Sequence, residues 1–213
     1  MKRIMTVLAL AAFAAAPAAA QWLGMPVWNS PKGGTGVTIS GDLGMPNADY
    51  GKGTAFGARG SIGLGTLTLG AGVASWKPDG ATQSVTSIGA TGEFRVIGGS
   101  LLPVALNLQV GAGRASTSGA PSLTTFLAGA GASVNVPTPG INIEPYLSVT
   151  NRWHKIEGIS GTESNIGWVI GANVGLGMLG LHVAYDSEKD DSGVNNGVIG
   201  IGVHFSLKVP LGM

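Results

Sequence analysis

One pattern repeats ten times along this chain and restricts the fold more than any other feature. From Gly34 onward, stretches of about ten residues alternate apolar and polar side chains, and each ends in a turn. Alternation with a period of two places one set of side chains on each face of a strand. The predicted strands are 35–44, 54–64, 66–76, 85–96, 104–114, 123–134, 142–153, 164–176, 179–186 and 197–208. The sequence predicts an all-β chain of ten antiparallel strands, with eight as the alternative.

The connections between these strands alternate strictly between short and long. Short turns fall at Gly65 and around 98–100, 137–140 and 177–178. Longer polar loops fall at 45–53, 77–84, 115–122, 154–163 and 187–196. In an up-and-down meander this order places every long loop at one end and every short turn at the other. An even number of strands then returns both chain ends to the short-turn end.

The low charge of the chain predicts where these strands lie. Charged residues make up 11% of the sequence, against about 25% in an ordinary globular domain. After Gln21 there is no apolar run of about 18 residues, which excludes helical membrane spans. In hydrocarbon an unpaired strand edge finds no hydrogen-bond partner, so a sheet there must close on itself. We therefore predict a closed, up-and-down, antiparallel transmembrane β-barrel.

The charged residues indicate which face of each strand lines the interior. Eight of the nine that fall within predicted strands share the polar face, and the exception is Arg114. A water-washed exterior would carry far more charge, so we assign the polar face to a narrow lumen; a soluble barrel with its apolar face inward is the alternative. The nine residues are Asp42, Arg59, Glu93, Arg95, Arg114, Glu144, Arg152, Asp186 and Lys208.

Aromatic residues on the apolar face form two bands, which are typical of the two membrane interfaces. Between the bands this face carries aliphatic residues and glycine. The predicted aromatic girdle consists of Phe56, Phe126, Trp153, Trp168 and Tyr185 near the long loops, and of Phe94 and Phe205 near the short turns.

The N-terminal region has the pattern of a secretory signal peptide, residues 1–20. Lys2 and Arg3 precede a short apolar stretch, and the small residues 18–20 offer a cleavage site before Gln21. We interpret 21–33 as a periplasmic lead-in, with a plug as the alternative, and 34–213 as the barrel. The chain has no cysteine, which excludes disulfides, thiol catalysis and cysteine metal sites.

In these features the chain resembles the small outer-membrane β-barrels of Gram-negative bacteria. The spacing of Gly202, Phe205 and Leu207 is similar to their assembly signal, although the chain continues through 209–213 without a terminal aromatic residue. The resemblance covers the whole mature sequence but no diagnostic motif. It implies export to the outer membrane, with lipid, lipopolysaccharide and the barrel-assembly machinery as partners. No basic cluster indicates nucleic-acid binding.

The predicted functional residues face the lumen, mostly in its short-turn half. They form either a structural ionic cluster or the constriction of a narrow passive channel for small solutes. We therefore expect a structural or channel-forming barrel that is not an enzyme and that needs no cofactor or metal. The set comprises Arg59, Glu93, Arg95, Glu144, His182 and His204.

Two other functions remain open at this point. The first is a surface-binding or adhesion barrel. The second is an enzyme, by comparison with ten-stranded outer-membrane proteases (Asp186, Asp190, Asp191 and His154 near the rim) or with lipid A deacylases (His204 and Ser206). The run 187–192 resembles an ordinary solvated loop, and cation binding by the acidic run 186–191 is the less favoured interpretation. His204 and Ser206 share the lumenal face and lack a third group to orient the histidine.

Overall fold

The computed structural model describes residues 22–98, 102–190 and 192–207, and these residues form strands joined by turns and loops. The strands are β1 (Gly34–Pro46), β2 (Thr54–Gly65), β3 (Leu67–Lys77), β4 (Val85–Ile97), β5 (Val104–Ser116), β6 (Leu123–Val134), β7 (Val136–Thr138), β8 (Ile141–Ile156), β9 (Glu163–Leu176), β10 (Leu179–Lys189) and β11 (Asn195–Leu207). Within the described ranges, no helix is long and apolar enough to cross a membrane.

Ten of the strands form a closed ring. Each pairs antiparallel with its neighbours in the chain, β6 pairs with β8, and β1 pairs with β11 to close the barrel. The predicted closed, up-and-down barrel of ten strands is confirmed, and the alternative of eight strands is wrong. The three-residue β7, which pairs only with the start of β8, was not predicted.

The connections define two ends, which we call the turn end and the loop end. Two glycines at the turn end have positive φ. Gly65, the last residue of β2, has φ of 88°, and Gly177, between β9 and β10, has φ of 68°. This left-handed backbone favours glycine and allows the chain to reverse tightly. At the loop end, β8 and β10 continue to Ile156 and Lys189, beyond the predicted ends at 153 and 186. These polar extensions are strands because they pair with β6 and β11 and because their inward side chains have buried partners.

The two faces of the barrel wall have opposite character. Most large outward residues are apolar, with Phe56 63% and Ile166 68% exposed. Inward residues are mostly glycine, small polar residues and buried charged groups, as the alternation predicted. An exposed apolar surface that surrounds the whole molecule is unfavourable in water and matches a bilayer.

The residues before β1 occupy the lumen. We call residues 22–33 the inner segment. Trp22 and Met25 pack among residues of the loop end, whereas Lys32 contacts Asn142 at the turn end, so the segment runs the length of the barrel against the direction of β1. The predicted lead-in outside the barrel is therefore wrong for these residues, and the plug alternative describes them. Trp22 therefore lies at the loop end, whereas β1 begins at the turn end.

Candidate functional site

Glycine residues on the inner wall make room for the inner segment. A Cβ on Gly200 in β11 would lie 2.5 Å from Cγ of Pro26 and 2.9 Å from the ring of Trp28. A Cβ on Gly131 in β6 would collide with the amide of Asn29. Similar close approaches occur at Gly44, Gly57 and Gly89, which face Gly24, Met25 and Trp22. The wall is thus shaped to the segment on five different strands.

An apolar cluster closes the loop end of the lumen. Trp22, Leu23 and Met25 of the inner segment are each at most 3% exposed and pack with residues from the ends of six strands. Tyr50 from the first long loop stacks on Trp76 of β3, with ring centroids 5.2 Å apart. The indole of Trp76 donates a hydrogen bond to the carbonyl of Lys52, 2.9 Å away. The loop therefore folds inward over the segment and completes the closure.

Beside this apolar cluster lies a buried ionic cluster that the sequence analysis did not assemble. Arg152 of β8 is 0% exposed and forms ion pairs with Asp186 (Nη2–Oδ1, 2.9 Å) and Glu188 (Nη1–Oε2, 3.2 Å) of β10. The second pair has hydrogen-bond geometry, whereas the first is an ion pair only. His154 and Asn165 contact the other oxygen of Glu188 at 2.8 and 2.9 Å.

This loop-end ionic cluster corrects two predictions about the rim. His154 lies in β8 and not in the predicted loop 154–163, and Ser187 and Glu188 lie in β10 and not in a solvated loop. The signal that could have found the cluster is parity, because Arg152, His154, Asp186 and Glu188 all occupy inward positions of their strands. Gly167 of β9, which pairs with Thr150, provides the space for the guanidinium of Arg152.

The loop-end ionic cluster also holds the inner segment. The backbone N–H of Val27 donates a hydrogen bond to Oδ2 of Asp186, at 2.8 Å and between residues 159 apart in the chain. Because the other oxygen of Asp186 faces Arg152, this carboxylate links the segment to the charged wall. A charge-assisted hydrogen bond of this kind is stronger than one between neutral groups.

The predicted lumenal set divides into two groups, and the first lies at mid-height. Arg59 of β2 binds Asp42 of β1 with two hydrogen bonds, of 2.6 and 3.1 Å. His182 of β10 contacts the same carboxylate at 2.5 Å and the ring of His204 at 3.2 Å between the two Nδ1 atoms. Trp28 of the inner segment packs edge-on against His182. The Cζ of Arg59 lies 5.1 Å from the centroid of the Trp28 ring.

The second group lies toward the turn end and binds the inner segment directly. Glu144 of β8 accepts hydrogen bonds of 2.9 Å from the hydroxyl of Ser30 and from the backbone N–H of Lys32. Arg95 donates to the carbonyl of Lys32 at 2.5 Å, and Glu93 accepts a weak bond from the N–H of Ser30 at 3.5 Å. These residues therefore bind a part of the same chain in this structure.

A cavity of about 810 Å³ remains beside the inner segment and reaches the turn end. Its lining is rich in glycine and includes residues of the segment, such as Lys32, together with Arg59, Glu93 and His204. The lumen is thus filled toward the loop end and partly hollow toward the turn end.

His204 and Ser206, which were considered for catalysis, each contact a different residue, and Asp190 contacts its own loop. The hydroxyl of Ser206 lies 2.8 Å from that of Thr38, and the Nδ1 of His204 faces His182. Asp190 caps its own loop: the hydrogen bond from the Ser192 hydroxyl, with others from backbone N–H groups, holds the pKa of Asp190 below its usual value. Asp191 lies outside the described residues. Among the residues that the structure describes, no group of three or more His, Asp or Glu could hold a metal ion.

The aromatic residues predicted to form a girdle all lie on the outward parity of their strands. Six of them are more than a third exposed, and Tyr185 is half-buried against Trp168, with ring centroids 5.5 Å apart. Their contact with lipid headgroups stays a prediction. The predicted signal peptide and residues 209–213 fall outside the described ranges.

A disulfide can test the position of the inner segment. A disulfide can form in the double variant Asn29→Cys/Gly131→Cys. The new Cβ at 131 lies 3.3 Å from Cγ of Asn29, the position that the sulfur of Asn29→Cys takes, and this is close to the distance from a Cβ to the partner sulfur in a disulfide. We expect near-complete oxidation in the folded barrel, read as a thiol count, because the chain has no other cysteine. Asn29→Cys/Gly60→Cys, with the second thiol outside the barrel, is the control. Two free thiols in the folded Asn29→Cys/Gly131→Cys variant would contradict the placement.

Comparison with known proteins gives structures of similar fold but no family. No protein-family model matches the chain, and no curated protein matches its sequence. Solved structures that match include the β domain of the Bordetella autotransporter BrkA (13% identity, TM-score 0.49, covering 83% of this chain and 100% of that chain). Neisserial surface protein A (16%, 0.41, 81% and 98%) and the outer-membrane protease OmpT of Escherichia coli (7%, 0.40, 81% and 94%) also match. These neighbours are outer-membrane β-barrels of Gram-negative bacteria, and the likeness is one of fold alone.

Proposed function

We propose that this chain is a non-enzymatic β-barrel of the bacterial outer membrane whose lumen is closed by its own N-terminal segment. The burial of the inner segment carries the proposal, with Trp22 3% and Val27 2% exposed inside the barrel. The barrel therefore acts as a structural element of the membrane and not as an open passive channel. The outward apolar surface supports the membrane location.

Several features support closure over passive conduction. The inner segment is held at two places, by Asp186 at Val27 and by Glu144 at Ser30 and Lys32. It also packs against inner-wall glycines, where any side chain on the wall would collide with it. A hydrated solute would have to break these contacts to pass, whereas the cavity beside the segment extends only from the turn end.

The charged groups inside the barrel favour a structural role over catalysis. Arg152 is enclosed by Asp186 and Glu188, and Arg59 by Asp42 and His182. Groups that neutralise one another in this way are not free to attack or protonate a substrate. The ion pairs instead cross-link neighbouring and more distant strands of the wall.

Conductance tests the proposal. We expect the mature chain, folded in detergent and inserted into a planar bilayer, to give no resolved current steps, because the inner segment blocks the lumen. A variant with a protease recognition sequence between Gly33 and Gly34 is expected to conduct after it is cut and the freed segment is washed out. An ideal Cβ on Gly34 has no atom within 4 Å, so the insertion point has room.

The uncut variant is the control for insertion into the bilayer, and heat-modifiable gel migration checks that each sample is folded. A synthetic peptide with the sequence of residues 21–33 should restore the block, whereas a scrambled peptide should not. Regular open steps from the uncut mature chain would overturn the closed-barrel proposal.

A further inference from the structure

The charged residues on the outer face of the barrel have an unexpected distribution. The charged residues at outward positions of the described strands are all cations: Lys77, Arg114, Lys155 and Lys189. All four lie at the loop end, where β3, β5, β8 and β10 finish. We call them the cationic collar. Acidic residues of the strands face inward or lie at the rim, so the outward face carries one sign of charge at one height.

The collar is regular in position as well as in sign. Each member is the last or nearly the last outward residue of a strand that runs toward the loop end. Neighbouring members of the collar are two strands apart, or roughly 10 Å across the sheet. Such a row faces sideways from the barrel wall, toward molecules packed around it, and not into the lumen.

Three members of the collar carry a charge that is not paired with any described residue. The ammonium groups of Lys77, Lys155 and Lys189 make no hydrogen bond or ion pair with another described residue, and all three residues are exposed. Arg114 differs, because it pairs with Glu157 at 3.1 Å in an exposed contact. The three lysines are therefore the members of the collar that are available to an external anion.

Aromatic side chains lie just below the collar on the same face. Trp153 precedes Lys155 by two residues on β8, and Tyr185 lies four residues before Lys189 on β10. Trp and Tyr rings favour the level of lipid headgroups, where their apolar bodies meet hydrocarbon and their polar edges meet water. A cation one step further from the hydrocarbon stands at the level of headgroup phosphates.

We propose that the cationic collar binds the phosphate groups of phosphorylated lipids in the leaflet at the loop end of the barrel. The inference rests on the proposed membrane location and adds the chemical class of a partner and the residues that recognise it. The single sign of charge, the height of the collar and its three lysines that pair with no described residue favour a phosphorylated headgroup over a neutral one.

The test measures binding of fluorescent lipid A to the detergent-folded mature barrel, with two phosphates or with both removed. We expect the native chain to prefer the phosphorylated probe by tenfold or more, since each cation near an anionic surface contributes roughly fivefold. In Lys77→Gln/Lys155→Gln/Lys189→Gln this preference should largely disappear. Raising the salt concentration should weaken the native preference, because these charges are exposed to solvent.

Lys52→Gln is the control for position, because it removes one positive charge from a loop at the same end and not from the outward strand face. It should retain the native preference. Equal binding of the two probes by the native chain, or an unchanged preference in the triple variant, would overturn the collar. Such a result would leave the closed barrel intact if the chain still inserts without conducting; a chain that needs no detergent would defeat both proposals.

Discussion

Replacing Arg152 with methionine is expected to lower the stability of the barrel by about 3–5 kcal/mol, because it leaves two buried carboxylates without their cation. Arg152, Asp186 and Glu188 are all 0% exposed, so water cannot replace the lost partner. The measurement is the urea midpoint of unfolding in lipid vesicles, followed by tryptophan fluorescence and by heat-modifiable migration.

Two further variants make this prediction specific. Arg114→Met removes an exposed ion pair, whose side chains are 58% and 63% accessible, and should change stability by about 0–1 kcal/mol. Arg152→Met/Asp186→Asn/Glu188→Gln removes the buried charges together and should recover a large part of the loss. A midpoint for Arg152→Met equal to that of the native chain would show that the loop-end ionic cluster does not stabilise the barrel.

Gly200→Val is expected to push the inner segment out of its place. The added side chain would enter the space of Pro26 and Trp28, and overpacking of this kind costs about 1–3 kcal/mol. The wall is a closed ring of hydrogen-bonded strands and resists movement. We therefore expect the inner segment, and not the wall, to move. We expect trypsin to cut after Lys32 at least tenfold faster than in the native chain.

Gly41→Val provides the matched control for the collision. Gly41 lies on β1, next to β11, and faces outward with no atom within 4 Å of an added Cβ. Its trypsin half-life should equal that of the native chain. A long half-life in folded Gly200→Val would mean that the wall, and not the segment, adjusts.

The strands could be predicted from the sequence because their signal is local. Alternation along Val104–Ser116 or Asn195–Leu207 reports directly which side chains face outward. The long-loop ends were predicted less well, because Ser187, Glu188 and Lys189 have the composition of a loop. Only the pairing of β10 with β11 and the presence of buried partners make them a strand.

The inner segment could not be predicted in the same way, because its position depends on residues far away in the chain. Residues 22–33 have no strand or helix periodicity, and two prolines interrupt them. Their burial depends on gaps left by glycines such as Gly131 and Gly200, which are distant in sequence. Likewise, the predicted lumenal residues lie on the inner face of the wall, and the position of the inner segment between them separates them into two groups.

The position of the inner segment has a consequence for how the barrel folds. Its contacts with Glu144 and Asp186 join residues 112 and 159 positions apart, so the first part of the chain must wait for β8 and β10 before it can be fixed. Contacts of such long range slow folding, because the intervening chain loses entropy before they form. The pairing of β1 with β11 joins the first and last strands of the barrel. Closure of the ring and enclosure of the segment are therefore coupled steps. A ring sealed too early would trap the segment outside, and the slow phase of folding should therefore report enclosure.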